Sequence, residues 1–304
     1  MKRKAIYIIM VSLLAAAAVS CTREIEAPDG EEATLTVTAS LDAAMDGGTK
    51  ASADGGLTNL AAQGGYSLRY NMELWSEDGK TLEYSADTIL KKLSPESEDY
   101  SVQYSLNLLA KNYKMVLWAD IVMENNDGTV TAYYTVPETD GLTAIGFPEG
   151  SAFGSDEYDA FTAVADVDLT DGSKLIGATL KRPFAKIRVI DDRINQAPAQ
   201  HYSTHLEFPS TVPIPKTYNA LTGGITYSAE NYNTYTCQSV FETDRLCLFT
   251  GYIFVPETGA DQQSTKYSFT IVVSDENNTS VANIPVSDVT VRRNALTTVK
   301  GKIL

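Results

Sequence analysis

The sequence is poor in the residues that carry chemistry. Of 304 residues, two are histidine (His201, His205), three cysteine (Cys21, Cys237, Cys247) and two tryptophan (Trp75, Trp118). No HExxH run and no cysteine cluster is present, so nothing has the spacing of a metal site. His201 and His205 are four apart, but the chain around them reads as extended. Same-face positions four apart in a strand lie about 13 Å from each other, too far for one ion. There is no Gly-x-Ser-x-Gly elbow and no glycine loop opening a helix to cradle phosphate. Among 39 acidic residues nothing singles out a pair for glycoside hydrolysis. The expectation is a non-enzyme with no catalytic residue, metal or cofactor. Long amphipathic helices are missing too, with residues 86–93 offering a turn or two at most. Basic residues are outnumbered, 24 Lys and Arg against 39 Asp and Glu, which argues against nucleic acid or an anionic bilayer surface as a partner.

What is present begins at the N-terminus. Lys2, Arg3 and Lys4 precede an uninterrupted apolar run over residues 5–19, followed by small residues and Cys21. This is the layout of a secretory signal peptide, and the run falls short of the roughly 20 apolar residues of a membrane span. Ala18-Val19-Ser20-Cys21 resembles the lipobox of bacterial lipoproteins. That resemblance implies cleavage before Cys21, acylation of its thiol and new amine with palmitate-like chains, and the lipid bilayer as a partner through the acylated Cys21. Each buried methylene of those chains adds about 0.8 kcal/mol of anchoring. Residues 1–20 are then the signal peptide. The remaining 284 residues carry 21 basic against 39 acidic side chains, a net charge of −18. Residues 21–32 read as a lipidated, acidic tether. Acidic residues there resemble a surface-export signal of Bacteroidetes lipoproteins, which implies an exposed location on the outer membrane.

Past the tether the pattern is all-β. Seventeen tyrosines, many threonines and frequent Gly, Asp and Asn turns favour strands. Thr34–Leu41 alternates, with Leu35, Val37, Ala39 and Leu41 on one face. Residues 42–65 are rich in Gly, Ala and Asp and contain Lys50-Ala51; so long a break reads either as a mobile loop or as a processing site. Leu68, Tyr70, Met72 and Leu74 alternate, Asp78-Gly79 turns the chain, and Leu82 and Tyr84 return. Tyr113–Val122 is the most apolar strand of the first half and is expected to be central. Pro183, within Ala178–Ile190, marks a bulge or an edge. Residues 33–190 are expected to form an N-terminal β-sandwich domain, 191–200 a linker and 201–304 a C-terminal β-sandwich domain. Only nine residues separate Cys237 from Cys247. The two either pair in an oxidising envelope or stay as separately buried thiols. Trp118 is expected in the core. Trp75, beside a turn, is the best candidate for a carbohydrate or partner contact.

Three further stretches carry a resemblance. Lys50-Ala51 follows a lipobox, an acidic tether and an alternating strand. Leu180-Lys181-Arg182-Pro183-Phe184-Ala185-Lys186-Ile187-Arg188-Val189 matches an L-x-R-x-x-A-x-I-x-V pattern. Arg293-Asn294 is followed by Thr297, Val299 and Gly301. Together these resemble the fimbrillin superfamily, the type V pilins and related lipoproteins of Bacteroidetes. The resemblance implies two tandem transthyretin-like, Greek-key β-sandwich domains. It also implies proteolytic processing at Lys50-Ala51, which releases the first strand and opens a groove for a neighbour's strand. The residue here is lysine, so an arginine-specific protease would not cut it. The chain also stops shortly after Gly301, where major pilins continue. Both departures point to an accessory, tip or anchor component whose partners are fimbrial subunits or host and bacterial surface ligands. The alternative is a stand-alone glycan-binding lipoprotein of a polysaccharide-uptake system.

Overall fold

The structure, a computed structural model, describes residues 30–44, 56–146, 155–194, 196, 198–209, 214–228, 233–242, 245–255 and 264–304. The first half supplies β1 (Glu32–Leu41), β2 (Tyr66–Ser76), β3 (Leu82–Ser85), β4 (Ile89–Lys92), β5 (Val102–Leu109), β6 (Asn112–Glu124), β7 (Val130–Ala132), β8 (Ile145–Gly146), β9 (Ala160–Asp168) and β10 (Lys174–Leu180). The second supplies β11 (Phe184–Asp191), β12 (Ser203–Glu207), β13 (Ile214–Tyr218), β14 (Ile225–Ser228), β15 (Asn233–Gln238), β16 (Val240–Glu242), β17 (Arg245–Phe254), β18 (Ser264–Ser274), β19 (Ser280–Arg292) and β20 (Leu296–Gly301). The protein is all-β, built of sheets packed face to face.

Two local expectations are corrected. Residues 42–65 are not irregular throughout, because Leu57–Gln63 form a short helix, α1, with Leu57, Leu60 and Ala61 buried. Burying one face stabilises a helix this short, which would be marginal alone. Residues 86–93 hold no helical turn. Ile89–Lys92 is β4, paired with β2 from Ser67↔Lys92 to Tyr70↔Ile89, so sheet pairing overrides the local pattern.

Strand β6 organises the first half. It pairs with β2 along eleven positions, from Tyr66↔Met123 to Ser76↔Tyr113, and on its other edge with β9 and β7. Both faces of this six-stranded sheet are covered. Met115, Leu117, Ala119 and Ile121 face one core, with Leu68, Tyr70, Met72 and Leu74 of β2 and Leu35 and Val37 of β1. Val116 and Trp118 point the other way, into a second core shared with Phe184, Ile187, Val189, Phe249 and Phe269. A strand buried on both faces must be apolar at successive positions, which is why this segment reads as a continuous run.

The second core is a sandwich of β16-β17-β11-β20 against β15-β12-β18-β19. One of its inner strands is β11, all eight residues of which are buried. Pro183 neither bulges nor edges a single strand. It sits in the break between β10 and β11, where the chain leaves one sheet for another, and its carbonyl accepts the Val255 N–H. β11, assigned from the sequence to the end of the first domain, is hydrogen-bonded to β17 and β20 of the second half. β8 likewise pairs with β13. The long edge strand β19 carries Pro285 and a register shift near Asp288, whose φ is +55°. A proline and a bulge blunt an edge against stray strand pairing.

Candidate functional site

Strand β1 lies in the middle of a three-stranded sheet, antiparallel to β5 and parallel to β10. Leu35 to Leu41 run opposite Lys174 to Leu180, and Glu32 to Ala39 opposite Leu109 to Val102. Ala33, Leu35, Val37 and Ala39 are buried beneath the sheet, while Leu41 is only half-buried. Burying Leu35 and Val37 contributes about 2 kcal/mol each. Among the described residues, β5 and β10 have no other strand partner in this sheet. Without β1 they would face each other across a gap of about 10 Å, each with a row of unpaired N–H and C=O groups.

The downstream end of β1 meets a buried cluster of charge. Arg182 is fully buried and forms a two-pronged ion pair with fully buried Asp159: Nε and Nη2 donate to Oδ1 and Oδ2, both at 2.7 Å. The remaining Nη1 donates to the carbonyl of Ala43 at 2.8 Å and to Oδ1 of Asn294 at 3.2 Å. The guanidinium lies over the Phe161 ring, 4.5 Å from its centre. Asn294 also donates through Nδ2 to Asp42 Oδ2 at 3.4 Å, from a backbone with φ +52° that asparagine tolerates better than most residues. Beside this, Lys186 Nζ donates to Asp156 Oδ1 at 2.6 Å, and the Tyr252 hydroxyl donates to the same oxygen at 3.3 Å. Gly56 abuts the cluster: with φ +101°, a Cβ there would lie 2.0 Å from the Asp156 carboxylate.

Burial, only partly offset by Arg182 and Lys186, pushes the Asp159 carboxyl up to about 6, and Asp156 adds to the rise. Tyr252 is held well above the ordinary tyrosine value by burial and by both carboxylates. The unfolded value for Asp lies near 3.9, so the native state takes up this proton first. The group's contribution to stability is fully present below about pH 4 and is lost as pH rises through about 6. Urea titrations of wild type and Asp159→Asn should therefore give a stability difference, wild type minus variant, that falls from pH 4 to about 6.5. A flat or rising difference would contradict this sign.

The residues singled out in the sequence fare differently. Cys21, Lys50 and Ala51 lie outside the described residues. The exposure expected of Trp75 is corrected: it is 9% exposed, in the second core, and its indole N–H donates to Glu73 Oε2 at 3.0 Å. The other Glu73 oxygen accepts the Leu142 N–H, so a buried carboxylate two residues back in β2 draws the indole inward. Trp118 is fully buried. Cys237 and Cys247 are buried thiols that converge on Thr250: Cys237 donates to its carbonyl at 2.9 Å, and Cys247 lies 3.3 Å from its hydroxyl. Burial pushes the Cys237 thiol up to about 12. His205 lies in β12 and contacts Glu207. Among the described residues no group of three His, Cys, Asp or Glu side chains is placed to hold a metal ion.

Arg182 and Asn294 were visible only as letters of two distant patterns, 112 positions apart, which the fold brings to one point. Asp42, Asp156 and Asp159 carried no signal of their own among 39 acidic residues.

Solved structures resembling this one include the tip fimbrial protein Mfa3 from Porphyromonas gingivalis with C-terminal truncation, at 10% identity and a TM-score of 0.47, covering 89% of this chain and 94% of that one. A fimbrial assembly protein from Parabacteroides distasonis matches at 11% identity and a TM-score of 0.41, covering 89% and 92%. The fimbrial anchor protein Mfa2 from Porphyromonas gingivalis matches at 11% and 0.40, covering 84% and 83%. No curated protein matches the sequence. The family model that matches spans residues 27–304, nearly the whole chain, and the protein therefore belongs to DUF6562, a family of unknown function.

Proposed function

We propose that this protein is a lipid-anchored component of the cell envelope, held by an acylated Cys21 on the outer membrane surface. It serves an adhesive, fimbria-type structure as an accessory, tip or anchor subunit and works by protein–protein contact rather than catalysis. The observation that carries this reading is the placement of β1, a single apolar strand seated between β5 and β10 directly downstream of the tether. A groove that accepts this strand accepts another of the same alternation, through main-chain hydrogen bonds and side-chain pockets. The long edge at β19 is blunted, so the sheet of β1 is the better place for a partner's strand. The lipobox and acidic tether supply the anchor and the address. Burial of Trp75 removes the feature on which the glycan-binding alternative rested.

The test is the intact mass and surface-protease accessibility of the protein isolated from its own cells. A triacylated species beginning at Cys21, digested on intact cells and co-isolating with fibres of other subunits, is the expected result. A species beginning at Ala51 without lipid would mean that β1 is removed and the chain enters the fibre as a shaft subunit. An unacylated species inaccessible from outside would overturn the proposal.

A further inference from the structure

We infer that the cluster around Arg182 is a lock on the first strand, gripping the backbone where β1 leaves its groove and abutting the point where the chain returns. This rests on reading β1 as the exchangeable part of the protein. It adds the reason this chain keeps that strand, even if the segment between residues 44 and 56 is cut.

Three features support it. First, the grip is on main chain: Arg182 Nη1 holds the Ala43 carbonyl, and the Asp42 N–H is held by the Leu180 carbonyl at 2.8 Å. Such contacts act on the path of the strand rather than on its side chains. Second, Arg182 has no slack. Asp159 occupies its other two nitrogens, Phe161 covers its face, and all of this is buried. Releasing Ala43 leaves a donor of a buried cation without that acceptor, which is costly in a site closed to water. Third, the parts come from separated stretches: Asp42 from just past β1, Asp159 from just before β9, Arg182 from the β10–β11 break and Asn294 from just before β20. Asp156, paired with Lys186, presses on Gly56 at the start of α1. Both ends of the segment that carries Lys50 therefore meet one cluster, and opening it requires the two halves of the protein to yield together.

A cluster that merely staples the halves would show the same contacts, so the test must separate retention of β1 from global stability. The probe is hydrogen exchange of the intact chain, read as the ratio of exchange rates at amides 36–43 to those at amides 269–273 of β18, a strand paired on both edges. In the paired variant Arg182→Met, Asp159→Leu the buried charges vanish together and the grip on Ala43 is lost. That ratio should rise about tenfold or more, as expected when one element opens locally. The control is the paired variant Arg69→Met, Asp120→Leu, which removes a comparable ion pair of 2.6 Å on the face of the β2–β6 sheet that points away from β1. It should leave the ratio within about twofold. An unchanged ratio in the first variant, or an equal rise in both, overturns the lock. Should the paired variant not fold, Asn294→Gly keeps the positive φ and removes only the arms to Arg182 and Asp42. It should speed exchange at residues 42 and 43 about threefold, and no change there overturns the inference. The exchange ratio is independent of lipidation and cell location, so failure of the lock and failure of the proposed function are read separately.

Discussion

Arg182→Met should lower the free energy of unfolding by about 3–5 kcal/mol, measured by urea denaturation near neutral pH. The variant leaves Asp159, itself fully buried, either charged without its partner or forced to take up a proton. It also strips the donors from the Ala43 carbonyl and from Asn294. Replacing both partners with apolar side chains, Arg182→Met with Asp159→Leu, should recover most of the loss, to within about 1 kcal/mol of wild type. Taking two ions out of water costs nearly what their attraction returns, and Phe161 already offers an apolar surface for methionine to cover. A double variant as unstable as the single one would mean that the contacts to Ala43 and Asn294 carry the energy. The pair with Asp159 would then be secondary.

Trp118→Ala should cost about 4 kcal/mol, within the range for removing a buried aromatic side chain. Trp118 is fully buried; it packs edge-on against Tyr134 at 5.3 Å between ring centres and at a tilt against Tyr218 at 6.1 Å. Tyr134 belongs to the first half and Tyr218 to the second, in β13, so the indole fills a space bounded by both. The variant should therefore unfold in one transition reported alike by probes in either half, with a lowered midpoint. Two transitions, only one of them shifted, would mean that the halves fold independently and that the shared core adds little. The same substitution made at Val116, which faces the same core, should cost less, about 2–3 kcal/mol, because fewer atoms leave.

Much of the strand order was legible because alternation is a local property. β1 buries one face beneath a sheet, and every second side chain records it. The turn at Asp78-Gly79 was legible for a similar reason, since Gly79 takes a positive φ, which other residues resist. The uniform apolarity of Tyr113–Val122 marked it as central, and β6 is paired on both edges. The failures are equally physical. Ile89–Lys92 is too short to display a period, and only its pairing with β2 makes it a strand. Trp75 sits beside a turn, where exposure is the ordinary expectation, but Glu73, two positions away, is buried by its bond to the distant Leu142 N–H and draws the indole N–H inward.

The first strand and its groove were therefore half written in the sequence. The buried face of β1 follows from Leu35, Val37 and Ala39, because a two-residue period leaves no other face for them. That β1 has β5 on one side and β10 on the other, with opposite directions, is not a local property. Nor is the clamp at its end. Arg182 and Asn294 stand 112 positions apart, and Asp159 is one carboxylate among many. What chose it is burial: a guanidinium enclosed between Phe161 and the main chain at Ala43 needs a carboxylate within reach, and the packing of the two halves decides which one is there.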